Sequence, residues 1–100
     1  MHSADGYKNS EQEEDYMTTL SIIKSQVMYL FETNPKVHID ISNRSDRKHL
    51  VNVPATITAV YPNIFTARLK EDGIERECIF QYVDLLTHTM KIKELDTLSN

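Results

Sequence analysis

The amino-acid sequence predicts a small, mainly β domain: five short strands bent into a closed or partly open barrel, preceded by one N-terminal α-helix. Three observations carry this expectation. Apolar residues recur at three- and four-residue steps over residues 18–33, alternate with polar residues in five runs over 36–93, and the runs are joined by short, turn-rich connections. Closing so short a set of strands removes the free edges that would otherwise recruit other chains. An open α+β sheet with the helix across one face is the alternative architecture.

In the helical segment, Leu20, Ile23, Val27 and Leu30 fall on one face. Thr18 or Thr19 can cap its start, and Asn34-Pro35 ends it, because the residue before proline avoids helical angles. Met28 and Phe31 lie off the main stripe and leave room for a partner contact. From Lys36 the period changes to two, with Val37, Ile39 and Ile41 on one face of the first strand. Residues 43–49 form a polar connection. The long second run places Val51, Val53, Ala55, Ile57, Ala59 and Tyr61 together, with Pro54 expected at an edge or a bulge because it cannot donate to a ladder.

Pro62-Asn63 supplies the next turn, and Phe65, Ala67 and Leu69 continue the alternation. Asp72-Gly73 is a hairpin signal. The fourth strand puts Cys78, Phe80 and Tyr82 on one face, residues 83–87 read as one helical turn, and Met90 and Ile92 point inward from the fifth strand. The expected organisation is an acidic disordered tail over 1–15, a folded domain over 16–93 and a frayed end over 94–100.

The chain has 100 residues, enough for one domain with one modest core, and 40% hydrophobic against 26% charged residues places it among globular proteins. Its net charge of -4 belongs entirely to residues 1–15, so the rest is balanced and lacks the basic excess of a typical nucleic-acid-binding domain. No apolar run approaches the roughly 18 residues of a membrane span. The polar opening Met1-His-Ser-Ala-Asp does not read as a secretory signal. A single cysteine, Cys78, fits a reducing cytoplasm.

No catalytic constellation is expected. Cys78 sits on an apolar strand face, where buried thiols are ordinarily inert. His2, His38, His49 and His88 show no zinc spacing, although His38 and Asp40 share a strand face. With only Gly6 and Gly73 there is no glycine-rich phosphate loop. No metal and no cofactor are expected. The most informative polar feature is the run Arg44, Arg47, Lys48 and His49, which suits phosphates or an acidic protein surface, against the plainer reading of a solvated connection. Tyr61, Phe65, Phe80 and Tyr82 could stack bases, but their alternation turns most of them inward.

The chain resembles the Veg family of small bacterial proteins over residues 19–92. The anchors are Thr19-Leu20-Ser21-x-Ile23-Lys24, Tyr61-Pro62-x-x-Phe65, Glu75-Arg76, and Gln81-Tyr82-Val83-Asp84-Leu85-Leu86-Thr87-x-Thr89. Where the family usually carries a glycine pair before its basic residues, this chain has Ser45-Asp46, which implies a different turn. The resemblance implies a small SH3-like or Sm-like barrel and a cytoplasmic, non-enzymatic regulator that promotes biofilm formation by relieving a transcriptional repressor. A protein partner engaged through Met28, Phe31 or the loop residues Arg44, Arg47 and Lys48 follows from this reading. An Sm-like RNA-binding module is the alternative; no membrane contact is expected, and a homo-oligomer is left open.

Overall fold

The computed structural model describes the backbone of residues 3–43 and 48–99 and the side chains of residues 17–42 and 49–96. In chain order it contains α1 (Ser3–Thr33), β1 (Lys36–Asn43), β2 (Lys48–Val60), β3 (Ile64–Glu71), β4 (Ile74–Gln81), α2 (Tyr82–Leu86), β5 (Met90–Ile92) and α3 (Lys93–Ser99). The five strands form one antiparallel sheet in the order β4-β3-β2-β1-β5. No ladder joins β4 to β5, so the fold is mainly β as expected, but the sheet is not closed into a barrel, where the sequence predicts a closed or partly open one. The strand count, their order along the chain and the short helix before β5 follow the sequence reading.

α1 packs through Val27 and Leu30, both buried, supported by Leu20, Ile23 and Phe31. It ends at Thr33, and the Pro35 carbonyl then accepts the Ile57 N–H at 2.9 Å, fastening the helix exit to β2. At its other end α1 starts at Ser3, not at Thr18, so the tail expected to be disordered over 1–15 is helical from its third residue. The run Glu11-Gln12-Glu13-Glu14 is rich in helix formers, and propensity carries a helix past the end of its apolar stripe.

β2 shows why strict alternation misassigns a bent strand. Ile39 pairs with Val53 but Ile41 pairs with Leu50, so β2 holds one extra residue there, and Asn52 adopts a φ of 58°. The Asp40 carboxylate accepts the Asn52 N–H at 2.6 Å and secures this bulge. A second extra residue, Thr58, lies between the pairs Ile57↔Ala67 and Ala59↔Thr66. Each bulge shifts the side-chain parity by one residue. Leu50 and Val60 consequently pack against the core, while Val51 and Tyr61, expected inside, are exposed.

The expected irregularity at Pro54 is absent from the register, where Pro54 pairs with His38. The His38 N–H turns away from β2 toward Glu94, which makes the pair a non-hydrogen-bonded one. The Pro54 nitrogen then faces the β3 side, just beyond the last ladder pair, Ala55↔Leu69. No ladder bond is lost.

Chain end and core also differ from expectation. Residues 93–99 form α3 instead of fraying, with Leu95 buried and Glu94 bonded to β1. The core joins Val27 and Leu30 of α1 to Val37, Ile39, Ile57, Phe65, Met90 and Ile92 of the sheet. Phe65 stands at its centre, with ring centroids 5.5 Å from both Phe80 and Tyr82.

Candidate partner-binding site

A groove opens where α1 meets the β2–β3 turn and the start of α2. Tyr82 is buried, and its hydroxyl donates to the Tyr61 carbonyl at 2.7 Å. The Tyr61 N–H donates to the Ile64 carbonyl at 2.9 Å and closes the turn. Burial pushes the Tyr82 phenol above its ordinary value, even though the bond to Tyr61 pulls the other way, so it remains a neutral donor.

Just before it, Gln81 is the N-cap of α2. Its N–H donates to Asp84 Oδ2 at 3.2 Å in a capping box. Asp84 is therefore the third helical residue, not the cap itself. Thr87 closes the same turn, its N–H donating to the Val83 carbonyl at 2.9 Å.

These contacts hold one wall of a groove of about 600 Å³. Pro62, Ile64 and Tyr82 line that wall, and Met17, Leu20 and Lys24 of α1 line the other. Met17 is 65% exposed, so the groove is open to solvent. Lys24 is the one charged side chain among its lining residues, which fits an apolar group flanked by an acidic one. A smaller depression of about 300 Å³, lined in part by Ile23, His88 and Leu95, lies between α1 and the α2–β5–α3 segment.

The residues singled out from sequence are dispersed. Phe31 packs against the core and Met28 is half-buried, while the large apolar residues of α1 that are exposed among the described side chains are Met17, Ile22 and Tyr29. Arg44 and Arg47 lie outside the described residues. Lys48 opens β2 opposite Asn43. Phe65, Phe80 and Tyr82 are inside the core, so the four aromatics make no base-stacking platform.

His38 and Asp40 each have structural partners, Glu94 and the Asn52 N–H. Among the described residues no group of three or more His, Cys, Asp or Glu side chains is placed to hold a metal ion. Sequence reading missed Met17 because it precedes the apolar period, although its spacing to Leu20 and Lys24 places all three within two turns of one helix.

The sheet's outer face carries its own network. Glu77 accepts a hydrogen bond from the Thr58 hydroxyl, which lies 2.6 Å from the Thr66 hydroxyl, and Arg68 Nε stands 3.5 Å from Glu77. The bond from Thr58 chiefly holds the Glu77 carboxyl below its usual range; burial opposes this, and Thr66 and Arg68 add to it. This network ties β2, β3 and β4 together near the second bulge.

Among the described residues no helix is long and apolar enough to cross a membrane. No curated protein and no solved structure matches the chain. The family model described as Biofilm formation stimulator VEG matches residues 18–93, from the middle of α1 through β5, and the chain belongs to that family.

Proposed function

We propose that the chain is a non-enzymatic cytoplasmic regulator that promotes biofilm formation by binding another protein. The observation that carries this is the family match over residues 18–93, whose description names biofilm stimulation. The partner class is a transcriptional repressor, as the resemblance implies. The order β4-β3-β2-β1-β5, with a helical turn before the last strand, supports reading the sheet as an SH3-like or Sm-like barrel left open between β4 and β5. Such small barrels serve many roles, so the binding role rests on surface chemistry and not on the fold.

The groove between α1 and the β2–β3 turn is where the partner docks in this reading. It accepts an apolar side chain between Met17, Leu20 and Ile64, with an acidic group facing Lys24. Arg44, Arg47 and Lys48, the last at the start of β2, supply a second, electrostatic contact in this reading.

The test is complementation of a bacterium lacking its own family member, scored by biofilm mass, together with affinity capture from nuclease-treated and untreated lysate. Met17→Glu and Lys24→Glu should keep the melting temperature and lose both biofilm rescue and the captured repressor. Full rescue by both variants would remove the groove from the mechanism. Capture that vanishes with nuclease would favour the RNA-binding alternative.

A further inference from the structure

β4 lies at one edge of the sheet, and the backbone register shows which of its groups face outward. Ile64 pairs with Gln81. Yet the Ile64 carbonyl accepts from the Tyr61 N–H, and the Gln81 N–H donates to Asp84. Neither group is spent across the pair, so this is a non-hydrogen-bonded pair. Backbone groups alternate between the two sides of a strand, so Glu75, Glu77 and Ile79 also aim theirs away from β3. The same alternation accounts for the Ile57 N–H, which donates to Pro35 although Ile57 pairs with Ala67 of β3. No described strand lies beyond β4.

Three further features make this edge receptive. Its ladder with β3 has no bulge, it contains neither proline nor lysine, and of its eight residues only Phe80 is buried. Ile79 on the outer face is 68% exposed. Straight, uncovered edges recruit another strand, and the charges of this one, Glu75, Arg76 and Glu77, limit the registers it can take.

We propose that two copies of this chain pair antiparallel through β4, about a two-fold axis that sets Cys78 opposite Cys78 of the second copy. The sequence of the strand selects the occupant and the register. An axis at Arg76 would oppose two arginines and set Glu75 against Glu77, and an axis at Glu77 would oppose two carboxylates; like charges directly opposite destabilise a strand pair. An axis at Ile79 would need the Gln81 N–H, which Asp84 already holds.

An axis at Cys78 opposes no like charges and keeps the Gln81 N–H out of its two inner hydrogen-bonded pairs; only the flanking Glu75–Gln81 pairs go without that bond. Glu77 of each copy then faces Ile79 of the other in two hydrogen-bonded pairs, which use the N–H and C=O of all four residues. Glu75 faces Gln81, no like charges oppose, and the exposed Ile79 side chain is covered. The two Cys78 residues form a non-hydrogen-bonded pair, with Cα atoms about 4.5 Å apart, inside the range of roughly 4.4–6.8 Å that a disulfide spans.

This proposal is independent of the partner-binding reading. Its test is sedimentation equilibrium of the full chain up to about 1 mM, where even a weak millimolar pair is substantially formed. A concentration-dependent dimer is expected. Ile79→Pro removes an N–H that β3 does not use, and Ile79→Lys places a charge on the outer face; each should give a monomer with unchanged circular dichroism.

Diamide reports the register. It takes two electrons and two protons from the paired thiols as the S–S bond forms, becoming the hydrazine, and should cross-link the natural chain. The doubly substituted Glu75→Cys/Cys78→Ser chain should remain a dimer by mass but not cross-link, because residue 75 faces Gln81. A monomer at every concentration, a dimer that survives both Ile79 substitutions, or equal cross-linking of the doubly substituted chain would overturn the proposal.

Discussion

Glu94→Ala removes a carboxylate that continues the β1 ladder past the end of β5. β5 pairs with β1 from Ile41↔Met90 to Ile39↔Ile92, and the next outward N–H on β1, that of His38, has no strand residue to receive it. Glu94 Oε1 accepts that N–H at 2.9 Å, and Oε2 lies 2.9 Å from His38 Nδ1. Hydrogen bonds to a charged acceptor contribute roughly 1.5–3 kcal/mol where water is excluded.

Here the Glu94 side chain is 27% exposed and that of His38 45%, so water replaces much of the ring contact and screens the pair. A loss of about 1–2 kcal/mol is expected, most of it from the orphaned backbone N–H. For a domain this size each kcal/mol lowers the melting temperature by about 4–8 °C. Urea denaturation at neutral pH measures the loss directly. His38→Ala should cost less than Glu94→Ala because it keeps the backbone bond.

Acid gives an independent reading of the same contact. Burial pushes the Glu94 carboxyl up, but the bonds from the His38 ring and backbone, its own N–H and the imidazole charge outweigh burial and hold it below the ordinary value of 4.5. A depressed carboxyl makes the unfolded chain take up its proton first as pH falls. The contribution is therefore complete above the unfolded value and is lost as pH drops through the folded one. The gap between natural chain and Glu94→Ala should narrow below about pH 4.5. A difference within about 0.5 kcal/mol at neutral pH, the range of ordinary surface substitutions, would refute this account of how α3 is held.

Asp84→Ala should cost about 0.5–2 kcal/mol by chemical denaturation, through loss of the capping box, while partner capture by the folded protein persists. Tyr82→Phe should cost roughly 0.5–1.5 kcal/mol by thermal melting, because the Tyr61 carbonyl loses its donor while the ring stays packed. Gly73→Ala meets no atom within 4 Å of its new Cβ, so the expected loss of about 1 kcal/mol of unfolding free energy, measured in urea, reflects the φ of +81° alone.

Which parts of this molecule could be read from sequence follows from which interactions are local. The helix stop at Asn34-Pro35, the Asp72-Gly73 turn and the inward faces of β1 and β3 depend on neighbours within a few residues, and all appear as expected. The two bulges in β2 do not. Asn52 takes a left-handed conformation because the Asp40 carboxylate, twelve residues away, receives its N–H. Thr58 faces Thr66 and Glu77, which come from two other strands. Alternation over 50–61 therefore predicts one continuous face, whereas folding breaks it twice. α3 was hidden for a similar reason, since its anchors are Leu95 in the core and His38 on β1.

The motif that carries the family resemblance identifies an architectural joint more than a site of chemistry. In the stretch 81–89, Gln81 caps α2, Tyr82 fastens the β2–β3 turn, and Asp84 completes the capping box. Thr87 and Thr89 share a hydroxyl contact of 2.9 Å, and the Thr89 N–H returns to the Asp84 carbonyl at 3.0 Å. Each of these residues is accounted for by a contact inside the chain that sets the exit of β4 and the entry of β5. In the proposed reading, specificity for a partner comes from side chains that the fold leaves uncommitted. Met17 and Lys24 line the groove without belonging to that joint, and Ile79 sits on a strand whose outward backbone is unmatched. Substituting the joint should cost stability, and substituting these surface positions should cost association. The contrast between Asp84→Ala and Met17→Glu measures that separation in one protein.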